Sequence, residues 1–88
     1  MFYTYILQSN KNDEWYIGYT ANLKKRFLEH NRGLNLSTKR YAPWEIIYYE
    51  ASLSEIDAKR RENYLKTTQG GRMLKIRLKD YINMSRKI

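Results

Sequence analysis

The chain has 88 residues and no cysteine, so we expect residues 1–88 to form a single small domain without disulfides, thiolate zinc sites or cysteine nucleophiles. Seventeen Lys and Arg residues against nine Asp and Glu residues give a formal net charge of +8, which favours phosphate-rich partners. No apolar run approaches the roughly 18–20 residues of a membrane span, and no signal peptide is visible, so we expect a soluble cytoplasmic protein that contacts no membrane.

Two strands are predicted at the start of the chain. Residues 2–8 (FYTYILQ) are mostly aromatic or β-branched and predict a strand whose side chains alternate between two faces. Residues 9–13 predict a polar turn, and residues 14–19 return as a second strand. The two strands most simply form an antiparallel hairpin. The sequence does not fix their register, so Tyr5 and Tyr16 either face each other or lie diagonally.

A basic amphipathic helix follows the hairpin. Polar residues at its start offer N-cap side chains, and Gly33 is a stop signal. Asn22, Arg26 and His30 recur at i, i+4 and i+8, so they form one column along the helix. This column rises beside Gly18 at a strand end, where backbone can come close to a ligand. The arrangement suits the clamping of a phosphate.

The second half of the chain predicts one strand and two helices. Residues 34–43 predict a loop and residues 44–50 a third strand. A capping box at residues 52–55 opens a second helix, residues 69–71 (QGG) break the chain, and the apolar period within residues 74–82 predicts a third helix. The order β-β-α-β-α-α predicts an α/β fold, with a small three-stranded antiparallel or mixed sheet packed with about three helices.

The polar residues available for chemistry are of few types. With one histidine and no cysteine, the usual catalytic triads and zinc cages cannot be assembled within one chain. Tyrosines, arginines, one histidine and a few carboxylates remain, and this set fits phosphodiester hydrolysis with a single divalent ion. A hard cation such as Mg²⁺ can be held by one carboxylate and complete its coordination with water and substrate phosphate. The arginine guanidinium can bind phosphate oxygens in two places.

Five short sequence elements follow one another along the chain. They are Tyr3-Thr4-Tyr5 in the place of G-I-Y, an intact Tyr16-Ile17-Gly18, Asn22-Leu23 before Arg26, His30 four residues later, and Glu62-Asn63-Tyr64-Leu65-Lys66 as E-x-x-[LI]-K. In these elements the chain resembles the GIY-YIG nuclease domain, the module also present in the UvrC subunit of bacterial excision repair. Its length is most similar to the small single-domain branch of that family.

The resemblance implies a metal-dependent endonuclease that hydrolyses phosphodiester bonds in DNA, in repair or processing. Arg26 would clamp the scissile phosphate and stabilise the charge that develops in the transition state. Glu62 would be the sole protein ligand of Mg²⁺ or Mn²⁺. Tyr5 and Tyr16 would activate and orient the attacking water, with the choice between them open, and His30 would hydrogen-bond or relay the proton of the catalytic tyrosine.

Each of these residues also has an ordinary structural explanation. Arg26 can be a solvated helix charge, and Glu62 can form an i,i+4 ion pair that stabilises its helix by only about 0.2–0.5 kcal/mol. The tyrosines can simply pack in the sheet. His30 can be a surface or core residue, and Gly18 can mark a kink at the sheet edge.

A further set of residues is predicted to contact the substrate. Gly18 would permit close approach of the phosphate, and basic side chains would contact the phosphate backbone unless they are only solvated charges. The predicted contacts are Gly18, Asn22, Lys24, Lys25, Lys39, Arg40 and Lys66. Two departures from the family pattern stand beside them: Tyr3 and Thr4 replace the Gly and Ile of the first motif, and Tyr19 stands where larger relatives often have Lys.

Three alternatives to a hydrolytic DNA nuclease stay open at this point. The first is a non-catalytic nucleic-acid-binding module of the same fold, which the charge supports equally well. The second is covalent attack on the phosphate by a tyrosine. The third is RNA as the substrate, because stackable aromatics such as Tyr3 and Trp15 also suit single strands. We expect no DNA-targeting module beside the nuclease-like region, so specificity would come from a protein partner, a homodimer or the structure of the nucleic acid, or else be low.

Overall fold

The protein is a small α/β sandwich, seen in a computed structural model that describes residues 1–85. Residues 86–88 of the predicted single domain lie outside the described part. The elements are β1 (Phe2–Ser9), β2 (Trp15–Thr20), α1 (Leu23–Asn31), β3 (Trp44–Ser52), α2 (Glu55–Leu65), α3 (Thr68–Arg77) and α4 (Lys79–Ser85), with one 3₁₀ turn at Lys39–Tyr41.

The sheet has the strand order β2-β1-β3, and both pairs of neighbours are antiparallel. The predicted hairpin and the predicted fold class are therefore confirmed, with an antiparallel sheet. The register pairs Tyr5 with Gly18 and Leu7 with Tyr16, so Tyr5 and Tyr16 are diagonal neighbours on one face. Because β1 is the central strand, its side chains reach both faces of the sheet at the middle of the molecule.

The two faces of β1 lead into two separate clusters of apolar side chains. Ile6 is fully buried against Leu65 of α2 and Leu74 of α3. Tyr5 and Leu7 point to the opposite face, where their cluster includes side chains of α1 and β3. The alternation of a strand thus places α1 on one side of the sheet and α2 with α3 on the other.

The N-termini of α1, α2 and α3 are capped by polar side chains. Asn22 caps α1 by accepting a hydrogen bond from the backbone N–H of Lys25, as predicted. The predicted capping box at residues 52–55 is wrong, because β3 continues through residue 52. Ser54 caps α2 instead and accepts from the N–H of Asp57.

The break predicted at residues 69–71 is also wrong. Thr67 accepts a hydrogen bond from the N–H of Gly70, so α3 begins at residue 68 and includes both glycines. A Cβ on Gly70 would lie 2.0 Å from the backbone oxygen of Tyr64, whereas a Cβ on Gly71 would meet nothing within 4 Å. Gly70 therefore lets α3 approach the end of α2 closely. The predicted third helix is divided into α3 and α4, because α3 ends at Arg77.

This difference between two adjacent glycines gives a first prediction. Gly70→Ala should destabilise the protein by about 1–3 kcal/mol, because the new methyl group overlaps backbone that cannot move aside easily. Gly71→Ala is the matched control and should be neutral or stabilising by up to about 1 kcal/mol, because alanine favours the helix and meets open space. Urea unfolding of both variants measures the effect. Equal free energies of unfolding would contradict the proposed close contact.

Candidate active site

The candidate site is organised around His30, which is fully buried at the end of α1. Its Nε2 atom lies 2.8 Å from the hydroxyl oxygen of Tyr5, and its Nδ1 atom lies 2.7 Å from Oγ1 of Thr38. The Tyr16 ring contacts the imidazole edge-on, with 4.9 Å between the ring centroids. Two strands, one helix and one loop therefore each contribute a side chain to a single polar cluster.

The hydrogen-bond partners indicate which groups of this cluster donate and which accept. We assign the Nδ1–H tautomer to His30: the Thr38 oxygen then accepts from Nδ1–H, and the Thr38 hydroxyl is directed to the backbone oxygen of Asn35, 3.5 Å away. Nε2 of the neutral imidazole is then an acceptor, and Tyr5 donates its phenolic hydrogen to it. This assignment of hydrogens follows from the heavy-atom positions of the network.

The electrostatics of the site keep His30 neutral. Burial lowers its pKa to about 4, the positive charge of Arg26 acts in the same direction, and Glu29 opposes both. A neutral imidazole near pH 7 has one free acceptor nitrogen. His30 can therefore accept a hydrogen bond from the Tyr5 phenol.

Tyr5 occupies the space that a side chain at position 18 would need. Only 1 % of Tyr5 is exposed, and burial raises its pKa to about 12, with Arg26 acting in the opposite direction. A Cβ on Gly18 would lie 2.5 Å from the Tyr5 hydroxyl oxygen. The structure thus gives Gly18 a packing role beside the phenol, and its predicted contact with the substrate stays a prediction.

Arg26 lies one turn before His30 on α1 and is half-buried. Its Nη1 atom donates to Oε1 of Glu29 at 3.1 Å. Burial lowers the pKa of Arg26, but hydrogen bonding to Glu29 and to Tyr5 outweighs burial and raises it, so the guanidinium stays charged. A permanent positive charge therefore stands next to the Tyr5–His30 pair.

Glu62 lies on α2, on the other side of the sheet from α1, and its charge acts on Tyr5. After burial, its negative charge is one of the smaller causes that raise the pKa of Tyr5. It also contributes to the raised pKa of Tyr19, which is caused first by a hydrogen bond to Glu55. The Glu62 side chain is 19 % exposed and forms the i,i+4 ion pair with Lys66, at 3.1 Å. The ordinary explanation of this residue therefore applies, whether or not it also binds a metal.

The donor set of the site fits a metal ion held by one protein ligand. Within the part of the chain that the structure describes, no group of three or more His, Asp and Glu side chains is placed to enclose a cation. Glu62 offers a single carboxylate, which is sufficient for Mg²⁺ only if water and phosphate complete its coordination. The site can thus hold a hard cation together with its substrate, but not a dedicated metal cage.

The three residues of the predicted column on α1 have two different roles in the structure. Arg26 and His30 lie together against Tyr5, whereas the Asn22 side chain is engaged in the helix cap. The basic side chains predicted to contact phosphate are all exposed, as a contact with DNA requires: Lys24, Lys25, Lys39, Arg40 and Lys66. Lys66 is engaged by Glu62, and the role of each in substrate binding stays a prediction.

Thr38 is a member of the site that the sequence analysis missed. It lies in the segment predicted only as a loop, yet its side chain is fully buried against His30. Its backbone oxygen accepts the indole N–H of Trp44 at 2.8 Å, which fixes the loop to the start of β3. A buried histidine needs two hydrogen-bond partners, but the sequence does not show which loop residue supplies the second one.

Comparisons with known proteins show which family the chain belongs to. The family model of the GIY-YIG catalytic domain matches residues 1–76. The chain belongs to the GIY-YIG family. It is 37% identical over 67 residues to the UPF0213 protein CPE1444 of Clostridium perfringens, covering 75% of this chain and 71% of that protein. It is 36% identical over 75 residues to the UPF0213 protein SH2523 of Staphylococcus haemolyticus, covering 84% and 90%.

A solved structure supports the same assignment. The solution NMR structure of the UPF0213 protein BH0048 from Bacillus halodurans superposes with a TM-score of 0.52 at 28% identity, covering 84% of this chain and 82% of that one. GIY-YIG domains form a nuclease superfamily whose members generally use divalent metals and act on nucleic acid. None of the helices within residues 1–85 has the length and apolar character needed to cross a membrane.

The buried neutral imidazole gives a prediction about pH. Between pH 6.5 and about 4 the unfolded chain protonates His30 and the folded protein does not, so the stability of the fold should fall as the pH falls. We expect this group to account for a loss of about 3 kcal/mol across that window, levelling off below pH 4. Urea unfolding of the wild type and of His30→Gln should therefore give curves that converge at low pH. Parallel curves would show that His30 titrates alike in both states.

Proposed function

We propose that the protein is an endonuclease that hydrolyses phosphodiester bonds in DNA, in repair or processing, with Glu62 as the sole protein ligand of one Mg²⁺ or Mn²⁺ ion. One observation carries the proposal: the buried chain of hydrogen bonds from Thr38 through His30 ends at the Tyr5 phenol, beside the charged guanidinium of Arg26. A proton acceptor and a phosphate-binding group therefore stand at one position on the molecule. The domain acts in the cytoplasm.

Arg26 supplies the contact with the scissile phosphate. A guanidinium has five N–H donors, and the bonds to Glu29 and Tyr5 engage two of them, so donors remain for two phosphate oxygens. The charge that develops on these oxygens during attack is stabilised by a group that is already in place. The ion pair with Glu29 holds the side chain in position before substrate arrives.

Tyr5 is the proposed general base, because its phenol is hydrogen-bonded to the imidazole. A pKa of about 12 keeps the phenol protonated at neutral pH, so the proton must pass to Nε2 of His30 as the phenol takes one from water. Glu62 would hold the divalent cation, whose positive charge would lower the pKa of a nearby water or phenol. Tyr16 contacts the imidazole ring and orients the water or the phosphate.

The role of Glu62 can be tested by one isosteric substitution. Glu62→Gln should abolish Mg²⁺-dependent cleavage of a duplex or single-stranded oligonucleotide, because an amide is a much weaker ligand for a hard cation. The Kd for DNA should stay nearly unchanged. Glu14→Gln, in the exposed turn after β1, makes the same change in net charge and should cleave like the wild type. Undiminished cleavage by Glu62→Gln would eliminate this mechanism.

The choice between the tyrosines can be tested in the same assay. Tyr5→Phe should lower the single-turnover rate of cleavage by about 10²–10⁴-fold, the usual contribution of a general base. Tyr16→Phe should lower it less, because Tyr16 meets the imidazole through its ring rather than through a hydrogen bond. The opposite order of the two rates would assign the general base to Tyr16.

A specific observation favours a second candidate function, a nucleic-acid-binding module without catalysis. The Glu62 carboxylate already has a partner in Lys66, so a cation must compete with an ammonium group for it. A pure binder would show a logarithmic salt slope of about −0.9 for each phosphate contact on duplex DNA, but no product with Mg²⁺. Titration and cleavage with Mg²⁺, Mn²⁺ or EDTA distinguish the two functions.

A further inference from the structure

An open groove lies next to the candidate active site, on the face of the sheet that α1 covers. Its volume is about 490 Å³. The start of α1 forms one wall with Leu23 and Phe27, and the strands form the other with Tyr3, Ile46 and Tyr49. The groove is thus built mainly of apolar and aromatic surface that the fold does not fill.

Two tyrosine rings dominate the strand side of this groove. The rings of Tyr3 and Tyr49 meet edge-on, with 6.0 Å between their centroids and an angle of 65° between their planes. Tyr49 is 54 % exposed. Flat, partly exposed aromatic rings of this kind are the surfaces on which proteins stack unpaired bases. Tyr3 also stands where the first family motif has glycine, so this aromatic wall is a feature of the chain's own sequence.

The register of the sheet places the groove beside the proposed chemistry. Tyr49 is the direct partner of Tyr5 across β1 and β3. Tyr3 precedes Tyr5 by two residues, so it lies on the same face at a distance of about 7 Å along the strand. Arg26 and Phe27 are neighbours on α1, so the phosphate-binding group and the wall of the groove belong to one helix. A nucleotide next to the scissile phosphate can therefore reach the groove.

The charge around the groove matches a nucleic-acid strand. Among the described residues that line it, Lys24 is the only charged one, and Asn22 adds an amide. Lys24 and Asn22 are both among the substrate contacts predicted from the sequence. A positive side chain beside an apolar aromatic surface complements a nucleotide, which combines an anionic backbone with a flat base.

We propose that this groove is a subsite that stacks one unpaired nucleobase next to the scissile phosphate, so that the preferred substrate carries unpaired nucleotides at the cut. The proposal rests on the proposed nuclease function. Bases inside a duplex are covered on both faces by their neighbours, so only an unpaired or flipped base offers a free face to Tyr49. The subsite thus makes the protein selective for the structure of DNA rather than for its sequence.

The experiment separates base contacts from phosphate contacts. Fluorescence anisotropy in EDTA compares two single strands of equal length, an oligothymidylate and an oligomer of abasic deoxyribose phosphates, which have the same phosphates. We expect the wild type to bind the oligothymidylate about fivefold to a hundredfold more tightly. Tyr49→Leu removes the flat ring but keeps an apolar side chain, and it should lose this preference while its affinity for the abasic strand stays unchanged.

Two further variants control the measurement. Tyr49→Phe keeps the ring and should bind both strands like the wild type. Ile76→Ala removes an exposed apolar side chain of α3, on the other side of the sheet, and should also preserve the preference. Thermal unfolding of each variant confirms that the domain is folded. Equal affinity of the wild type for both strands, or an equal loss on both strands in Tyr49→Leu, would overturn the proposal.

The experiments distinguish a failure of the base-stacking subsite from a failure of the proposed nuclease function. If no Mg²⁺-dependent product forms but the base preference depends on Tyr49, the nuclease mechanism fails and the base-binding groove is supported. If cleavage depends on Glu62 but the base preference is absent, the mechanism stands and the subsite is refuted. A second copy of the chain could also cover the groove, and a dimer that Tyr49→Leu dissociates in analytical ultracentrifugation would overturn the proposal in favour of an interface.

Discussion

The hydrogen bond between the Tyr5 phenol and the His30 imidazole connects the central strand to the helix above it. Both side chains are almost completely buried, so each would leave an unsatisfied polar group in the core without the other. This contact, together with the apolar side chains that α1 packs around Tyr5, holds α1 and with it Arg26 in position on the sheet. Within the described residues, no buried side-chain nitrogen or oxygen is without a hydrogen-bond partner.

The surrounding residues make that contact possible in two ways: one leaves space for the phenol, and another gives the imidazole a second hydrogen-bond partner. Gly18 leaves room for the phenol because it has no Cβ. Thr38 supplies the hydrogen-bond partner of the second imidazole nitrogen, Nδ1. Its loop is held in place by the hydrogen bond from the Trp44 indole. A site built in this way is preorganised, because its groups hold their positions before any substrate is bound.

Much of this arrangement could be predicted from the sequence, because it follows from local periodicity. The alternation of residues 2–8 placed Tyr5 on one face, and the spacing of Arg26 and His30 placed both on one side of a helix. The diagonal relation of Tyr5 and Tyr16 could not be predicted, because register depends on pairing between strands rather than on either strand alone. Gly70 was misjudged for a similar reason. A glycine required by the close approach of two helices looks like a chain break when only its neighbours in sequence are visible.

The two helical layers constrain how a nucleic acid could meet the proposed site. Arg26 lies in the layer on one side of the sheet and Glu62 in the layer on the other, and the charges of both act on Tyr5 of the central strand. If both residues contact one strand, as we propose, that strand has to pass from one helical layer to the other across the sheet. Such a path does not require a free chain end, which is consistent with the proposed cleavage at internal phosphodiester bonds.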